Sequence, residues 1–190
     1  MQYINYYSSP LGKITLASNG NELIGLWFEG QKYFGSTLNG EYKQKSLPVF
    51  EQTAKWLDVY FSGQNPNFTL PLYLSSTQFR NEVWKILLAI PYGSVITYRG
   101  IADIMAKKRG AENMSAQAIG GAVGHNPISI IVPCHRVVGT NGSLTGYAGG
   151  VDIKEKLLID FRHCVQVAKQ ENICGLCPHP QSYKSSTKLL

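Results

Sequence analysis

No stretch of this sequence comes near the run of about eighteen apolar residues that a helix needs to cross a bilayer. Its start, Met1 to Tyr7, lacks the basic and apolar regions of a secretory signal. A soluble, cytoplasmic protein without a membrane partner is expected. Cysteine is scarce, with four in 190 residues; without an export signal they point to thiols in a reducing compartment and away from a disulfide scaffold. Acidic residues are also few, twelve against eighteen Lys and Arg, for a net charge of +6. What is plentiful is apolar side chain, 44% of the chain, enough to fill one large domain or two small ones and to exclude a disordered or fibrous protein.

The charge is unevenly spread. Residues 1 to 74 hold five basic and five acidic groups, residues 75 to 190 thirteen and seven. The whole excess lies in the second part, which fits a polyanion partner for that part and, equally well on charge alone, a solvated basic surface.

Near the start, Ile14-Thr15-Leu16 and Leu23 to Phe28 are short β-type runs parted by the turn residues Asn19-Gly20-Asn21, an antiparallel hairpin. A helix is expected from Val49 to Phe61, where Phe50, Ala54, Leu57 and Phe61 recur every three or four residues, and Ser62-Gly63 ends it. Residues 64 to 77, rich in Asn, Pro and Ser, read as a linker. Phe79, Val83, Ile86, Leu87 and Ile90 form a second helical stripe, closed by Pro91-Tyr92-Gly93. Thr97 can cap a helix carrying Ile101, Ala102 and Met105. After a loop of about nine residues beginning at Lys107-Lys108-Arg109-Gly110, Ser115 can cap another, running to about Gly124. The pair resembles a helix-turn-helix with a long turn.

That last helix has an unusual face. Ile119, Ala122 and Val123 can point inward, leaving Gln117, Gly120, Gly121 and Gly124 with almost no bulk on the other side. Glycine costs a helix about 1 kcal/mol each, so the bare face calls for close approach, either to a neighbouring helix or to a ligand; the charge asymmetry favours nucleic acid. Next, Asn126 to Val132 is an apolar β-like run broken by Pro133, so Cys134 falls where a strand stops. Neighbours on a strand face opposite ways, and Cys134 and His135 can share a pocket only through a turn or a bridging group. Nearby imidazole and guanidinium groups would favour the nucleophilic thiolate; a buried core cysteine beside a satisfied histidine is the alternative.

Pro133-Cys134-His135-Arg136-Val137, with Asn126-Pro127 upstream and Gly146-Tyr147-Ala148-Gly149-Gly150 downstream, resembles the O6-alkylguanine-DNA alkyltransferases (methylated-DNA–protein-cysteine methyltransferases). The resemblance runs through Phe79, Val83-Trp84, Ile90 to Gly93, Thr97-Tyr98 and 115–124, includes the Ser9-Pro10-Leu11-Gly12 turn, and covers about residues 3 to 158. It implies an α/β (α+β) fold. A small mixed sheet-plus-helix, ribonuclease-H-like domain (1–74) would precede a mainly helical, winged helix-turn-helix-like DNA-binding and alkyl-transfer domain (75–161), with a divergent flexible tail at 162–190. It implies one irreversible transfer per molecule of an alkyl group from O6-alkylguanine, and from O4-alkylthymine, in duplex DNA to Cys134, by a monomer with no cofactor or metal. His135 would act through a water as base, Asn126 would tie the active-site turn together, and Tyr98 would help rotate the nucleotide. Tyr147 and the Ala148 N–H would meet the guanine O6. Carbonyls near Cys134 and Val137 would read its amine, and Arg136 would also bind the substrate. The helix bearing Ser115, Gln117 and Gly121 would enter the minor groove, with Arg99, Lys107 and Lys108 on phosphates.

Two positions depart from that pattern. Gln117 stands where the family places an arginine that fills the gap left by the flipped base, and Phe161 where a glutamate orients the histidine. No Cys or His precedes residue 125 to match the amino-terminal zinc ligands of some relatives. In the tail, His163-Cys164 and Cys174 to His179 contain zinc-ligand types, with a flexible tail of free thiols as the favoured reading. Two rivals to the enzyme stand: a module that grips alkyl lesions and recruits other repair factors, and a cysteine hydrolase, for which no second motif offers a histidine.

Overall fold

The computed structural model describes residues 1–159. The sequence-based expectations on Phe161, on the histidines and cysteines after it and on the tail lie outside these residues.

Strands β1 (Gln2–Ser9) and β2 (Gly12–Ser18) meet at a two-residue turn, Pro10-Leu11, where Ser9 Oγ donates to the Gly12 carbonyl at 2.6 Å and accepts from Leu11 N–H at 3.1 Å. β2 then pairs antiparallel with β3 (Leu23–Phe28) across a loop in which Asn19 Oδ1 accepts from the Asn21 and Glu22 N–H groups. A short β4 (Tyr42–Gln44) joins β1 in parallel, for the order β3-β2-β1-β4. Alternation along the strands sends Ile14, Leu16, Leu26 and Phe28 into the main core, which α1 (Pro48–Phe61) enters with Phe50, Leu57 and Tyr60. Ile4, Ala17, Ile24 and Trp27 form a second, smaller cluster.

The second half begins with α2 (Gln78–Leu88), capped by the Thr77 side chain. After β5 (Ile96–Thr97), α3 (Tyr98–Arg109) is capped by Thr97 Oγ1, which accepts from Gly100 N–H at 2.9 Å; it ends at Gly110 in the left-handed region, φ 62°. The capping side chain of α4 (Ala116–Gly124) is Ser115. A 3-10 turn, Cys134–Arg136, leads into β6 (Val137–Val138), parallel to β5, and α5 (Val151–Ile159) follows.

Three expectations change. Lys107 to Arg109 form the last turn of α3, where cations meet the helix's negative end, so the loop between the two helices is shortened to residues 110–115. The apolar run before Cys134 is a chain of turns; it makes one strand-like bridge, Leu26 with Ile128, because Leu26 N–H donates to Pro127 and Ser129 N–H returns to Leu26. The segment read as a linker also does structural work: Leu23 N–H donates to Pro71 at 2.8 Å and Tyr73 N–H to Leu23 at 2.9 Å. The outer edge of β3 is thus covered by pieces of chain from both sides of α2, which removes an open strand edge and joins the two halves. One apolar cluster accordingly runs from Ile14 through Leu57, Trp84, Met105 and Ile119 to Leu157. Trp84 Nε1–H crosses from α2 to the Ala122 carbonyl of α4 at 2.9 Å.

Gly25 shows how tight the small cluster is, since the Trp27 indole lies over its Cα. A Cβ there would come within 1.9 Å of the ring. Gly25→Ala is expected to cost about 1–3 kcal/mol through overpacking, read as a lower urea midpoint with an unchanged slope.

Candidate active site and nucleic-acid interface

Asn126 follows α4 immediately, and its side chain organises the turn that carries Cys134. Nδ2 donates to Val132 O at 2.8 Å, to Ile128 O at 3.1 Å and to Cys134 Sγ at 3.0 Å, while Oδ1 accepts from Ile128 N–H at 3.0 Å. Two N–H groups serve three acceptors, so one is shared. This cage holds Ile130 at φ 68°, a left-handed conformation that costs a β-branched residue on the order of 1–3 kcal/mol. Past Pro133 the chain tightens into the 3-10 turn, with Arg136 N–H on Pro133 O and Val137 N–H on Cys134 O. Cys134 and His135 are therefore neighbours on a turn.

Cys134 is 4% exposed. Burial pushes its thiol up to about 11; the Asn126 N–H, the Lys154 charge and nearby backbone N–H groups pull the other way. In this closed form the sulfur is a protonated thiol at neutral pH. His135, fully buried, has Nε2 at 3.0 Å from the Tyr60 hydroxyl of α1. Arg136 reaches the chain that follows α2, its Nη1 on the carbonyls of Ile90 at 3.5 Å and Pro91 at 3.4 Å and its guanidinium over the Tyr92 ring, and it also hydrogen-bonds to Tyr60. Val137 lies in β6, paired with Ile96.

The loop 143–149 closes over the thiol. Tyr98 Oη donates to Thr145 O at 2.9 Å, Lys154 Nζ to the same carbonyl at 2.9 Å, and Lys32 N–H to Ala148 O at 2.9 Å. Gly146 sits at φ 79°, and a Cβ there would come within 2.9 Å of Tyr98 Oη, so both backbone and space call for glycine. Tyr147 is buried, its phenol held far above the ordinary value by burial and by the neighbouring Cys134 and Tyr60. Tyr98 is likewise pushed up to about 12, first by burial and then by Cys134. Both phenols keep their protons and can donate.

The bare face of α4 is open at two of its glycines; at the third, Gly120, a Cβ would meet the Tyr98 ring at 3.9 Å. Gly121 and Gly124 have nothing within 4 Å of where a Cβ would stand, while Ile119, Ala122 and Val123 pack inward. Tight packing on a neighbouring helix therefore does not explain these glycines. Gln117 and Ser115 are exposed at the start of α4. Lys107 and Lys108 are exposed at the end of α3; Arg99 is exposed and paired with Asp103 at 2.9 Å, and Arg109 with Glu82 at 2.9 Å. At the far end of α4 the His125 ring stacks on Tyr33 with centroids 4.0 Å apart.

The structure brings Cys134, His135, Asn126, Tyr98, Tyr147 and Ala148 around one turn and loop, places Arg136 between the chain after α2 and the Tyr60 phenol, and leaves Ser115, Gln117, Gly121, Lys107 and Lys108 on the surface. Sequence reasoning missed three contributors. Lys154 is fully buried beside the thiol, and burial lowers its ammonium to about 8. A lysine at the stripe spacing of Leu157 and Leu158 was the available signal. Tyr60 blends into the apolar face of α1. Gln31 reaches Ser129 Oγ and Phe28 N–H with its Oε1, a contact that no local pattern announces. Among the described residues no group of three or more His, Cys, Asp or Glu is gathered as for a metal ion, and no helix is long and apolar enough to cross a membrane.

The family model described as the 6-O-methylguanine DNA methyltransferase ribonuclease-like domain matches residues 2–74, and the one described as the DNA binding domain matches 78–160. The chain belongs to the 6-O-methylguanine DNA methyltransferase family. Its similarity to family members spans nearly their whole length. A protein of Methanosarcina barkeri named methylated-DNA–protein-cysteine methyltransferase is 43% identical over 157 residues, 82% of this chain and 94% of that one. A Haemophilus influenzae protein of the same name is 38% identical over 82% of this chain and 84% of its own. A crystal structure described as Mycobacterium tuberculosis OGT in complex with DNA superposes with a TM-score of 0.72 at 39% identity, over 84% of this chain and 92% of that chain.

Removing the cage should be visible in this methyltransferase-family chain without any DNA. Asn126→Ala strips donors from two buried carbonyls and the sulfur, and is expected to lower stability by about 1–3 kcal/mol and to move the pH midpoint of Cys134 alkylation by iodoacetamide upward. Lys154 supplies a separate test. Its folded value of about 8 lies below the ordinary 10.5, so between these pH values the unfolded chain binds more protons and the fold gains stability as pH rises. In urea titrations at pH 7.5 and 10, the parent protein is expected to gain on Lys154→Met by the higher pH.

Proposed function

We propose that this protein repairs DNA by moving the alkyl group of O6-alkylguanine, and of O4-alkylthymine, in a duplex onto Cys134, once per molecule. The observation that carries the reading is a single cysteine on a caged turn, under a glycine-jointed loop, beside a helix whose outer face is bare. The groups named above all come from one chain, which fits action as a monomer. Residues 1–74 hold the site from behind and residues 75–159 supply the DNA face.

The bare face of α4 lets the duplex come close at the minor groove, with Ser115, Gln117 and Gly121 against it and Arg99, Lys107 and Lys108 reaching phosphates. Turning the damaged nucleotide out of the stack costs a few kcal/mol, which those contacts offset. Tyr98 helps drive the rotation. The loop 143–149 moves aside on Gly146 as the base enters; this releases Tyr98 from Thr145 and admits the O6 atom towards Tyr147 and the Ala148 N–H. Carbonyls of Cys134 and Val137 read the exocyclic amine, and Arg136 braces the turn against the carbonyls of Ile90 and Pro91.

The thiol of Cys134 gives its proton to His135 through water, with Asn126 and Lys154 steadying the sulfur's charge. Sulfur then attacks the alkyl carbon; the S–C bond forms as the C–O6 bond breaks, the bonding pair stays on oxygen, and a proton returns to the base. Phenols that stay protonated near neutrality suit the task of donating to that oxygen. No cofactor enters the reaction, and the thioether is permanent.

Mixed with an oligonucleotide bearing O6-methylguanine, the protein is expected to gain one methyl, found by mass spectrometry on the peptide containing Cys134; Cys134→Ala gains none. Tight lesion binding with an unmodified peptide would instead establish the recruiting module.

A further inference from the structure

His135 is held by a residue from the other half of the chain. Its Nε2 lies 3.0 Å from Tyr60 Oη, the rings meet edge to face at 84° with centroids 6.2 Å apart, and both side chains are fully buried. Tyr60 is itself clamped: Trp56 stacks on it at 5.4 Å and Phe61 meets it edge-on at 5.4 Å. A phenol so confined can hold an imidazole in one orientation, as a carboxylate does in catalytic triads.

We infer that Tyr60 is the positioning residue of His135, its Oη accepting a hydrogen bond from Nε2–H so that Nδ1 is the nitrogen that receives the thiol's proton. The inference rests on the proposed alkyl transfer, in which His135 is the base. With Nε2 facing Tyr60, the base function falls to Nδ1, and a neutral ring can act there only if its own proton sits on Nε2. When Nδ1 takes the proton from Cys134, the ring becomes cationic and its bond to Tyr60 becomes charge-assisted. The Arg136 side chain also hydrogen-bonds to Tyr60, and its charge acts on the same phenol, so the oxygen that faces His135 is held from a second side. Among the described residues, Tyr92, Cys134 and Tyr147 also act electrostatically on Tyr60 or are acted on by it. Burial keeps the Tyr60 phenol well above its ordinary value, with Arg136 working against that rise, so Tyr60 does not itself give up a proton.

The test is Tyr60→Phe, which keeps the ring and removes only the oxygen. In single-turnover assays at saturating O6-methylguanine duplex, methyl transfer is expected to slow at least tenfold with duplex affinity unchanged. The acid limb of its pH profile should shift to lower pH, because the imidazolium has lost its acceptor. Nitrogen-15 NMR of the parent protein should find His135 protonated at Nε2 when neutral, a measurement that does not depend on the variant folding. A parental rate and profile in Tyr60→Phe, a slower rate with an unmoved profile, or a neutral ring protonated at Nδ1 would each overturn the assignment. Failure of the parent itself to take up methyl would sink the alkyl-transfer reading instead, leaving the NMR measurement to decide the Tyr60 bond.

Discussion

A single amide, that of Asn126, stands at the centre of this structure. It closes the turn from Ile128 to Val132, holds Ile130 in a conformation its side chain disfavours, and ends on the sulfur of Cys134. Buried backbone carbonyls need donors, and without this side chain two of them and the thiol would lose theirs together. The position of the sulfur follows from the same few bonds, and His135 is its neighbour on the turn that they anchor.

Burial gives the site its second character. A thiol shut under the loop is hard to ionise, and the groups that ease ionisation, Asn126 and Lys154, are themselves buried. Cys134 and Lys154 oppose each other's desolvation: the cation favours the thiolate, and the thiolate favours the cation. Tyr98 and Lys154 both bond to Thr145 O, so the contacts that close the loop come from residues next to the reacting centre. Opening the loop therefore changes the surroundings of the sulfur as well as its accessibility, and entry of a base and activation of the thiol are physically linked.

The two halves of the chain are less separate than their family models suggest. β3 is edged by chain from before α2 and from the Asn126 turn, Gln31 reaches Ser129, Lys32 holds Ala148, and Tyr60 holds His135. The first half is electrically balanced, with five basic and five acidic groups. It forms the back wall against which the reactive turn is built, while the basic excess stays with the half that presents α3 and α4.

Local structure was legible from the residues alone: the strands of the hairpin, the helices with the Thr97 and Ser115 caps, the bare side of α4, and Pro133 as the point where the run before Cys134 breaks. These depend on periodicity and on side chains bonding within a few positions, which a linear reading captures. Tertiary structure decided the rest. The run before Cys134 is apolar enough for a strand, yet becomes turns because one amide collects its carbonyls. Gly121 and Gly124 stand open because Ile119, Ala122 and Val123 carry the packing on the other side. Lys154 and Tyr60 lie 20 and 74 positions from Cys134 along the chain, and their importance exists only once folding has removed the water between them and the thiol–imidazole pair, since burial is what gives a distant charge or hydroxyl its hold on a proton.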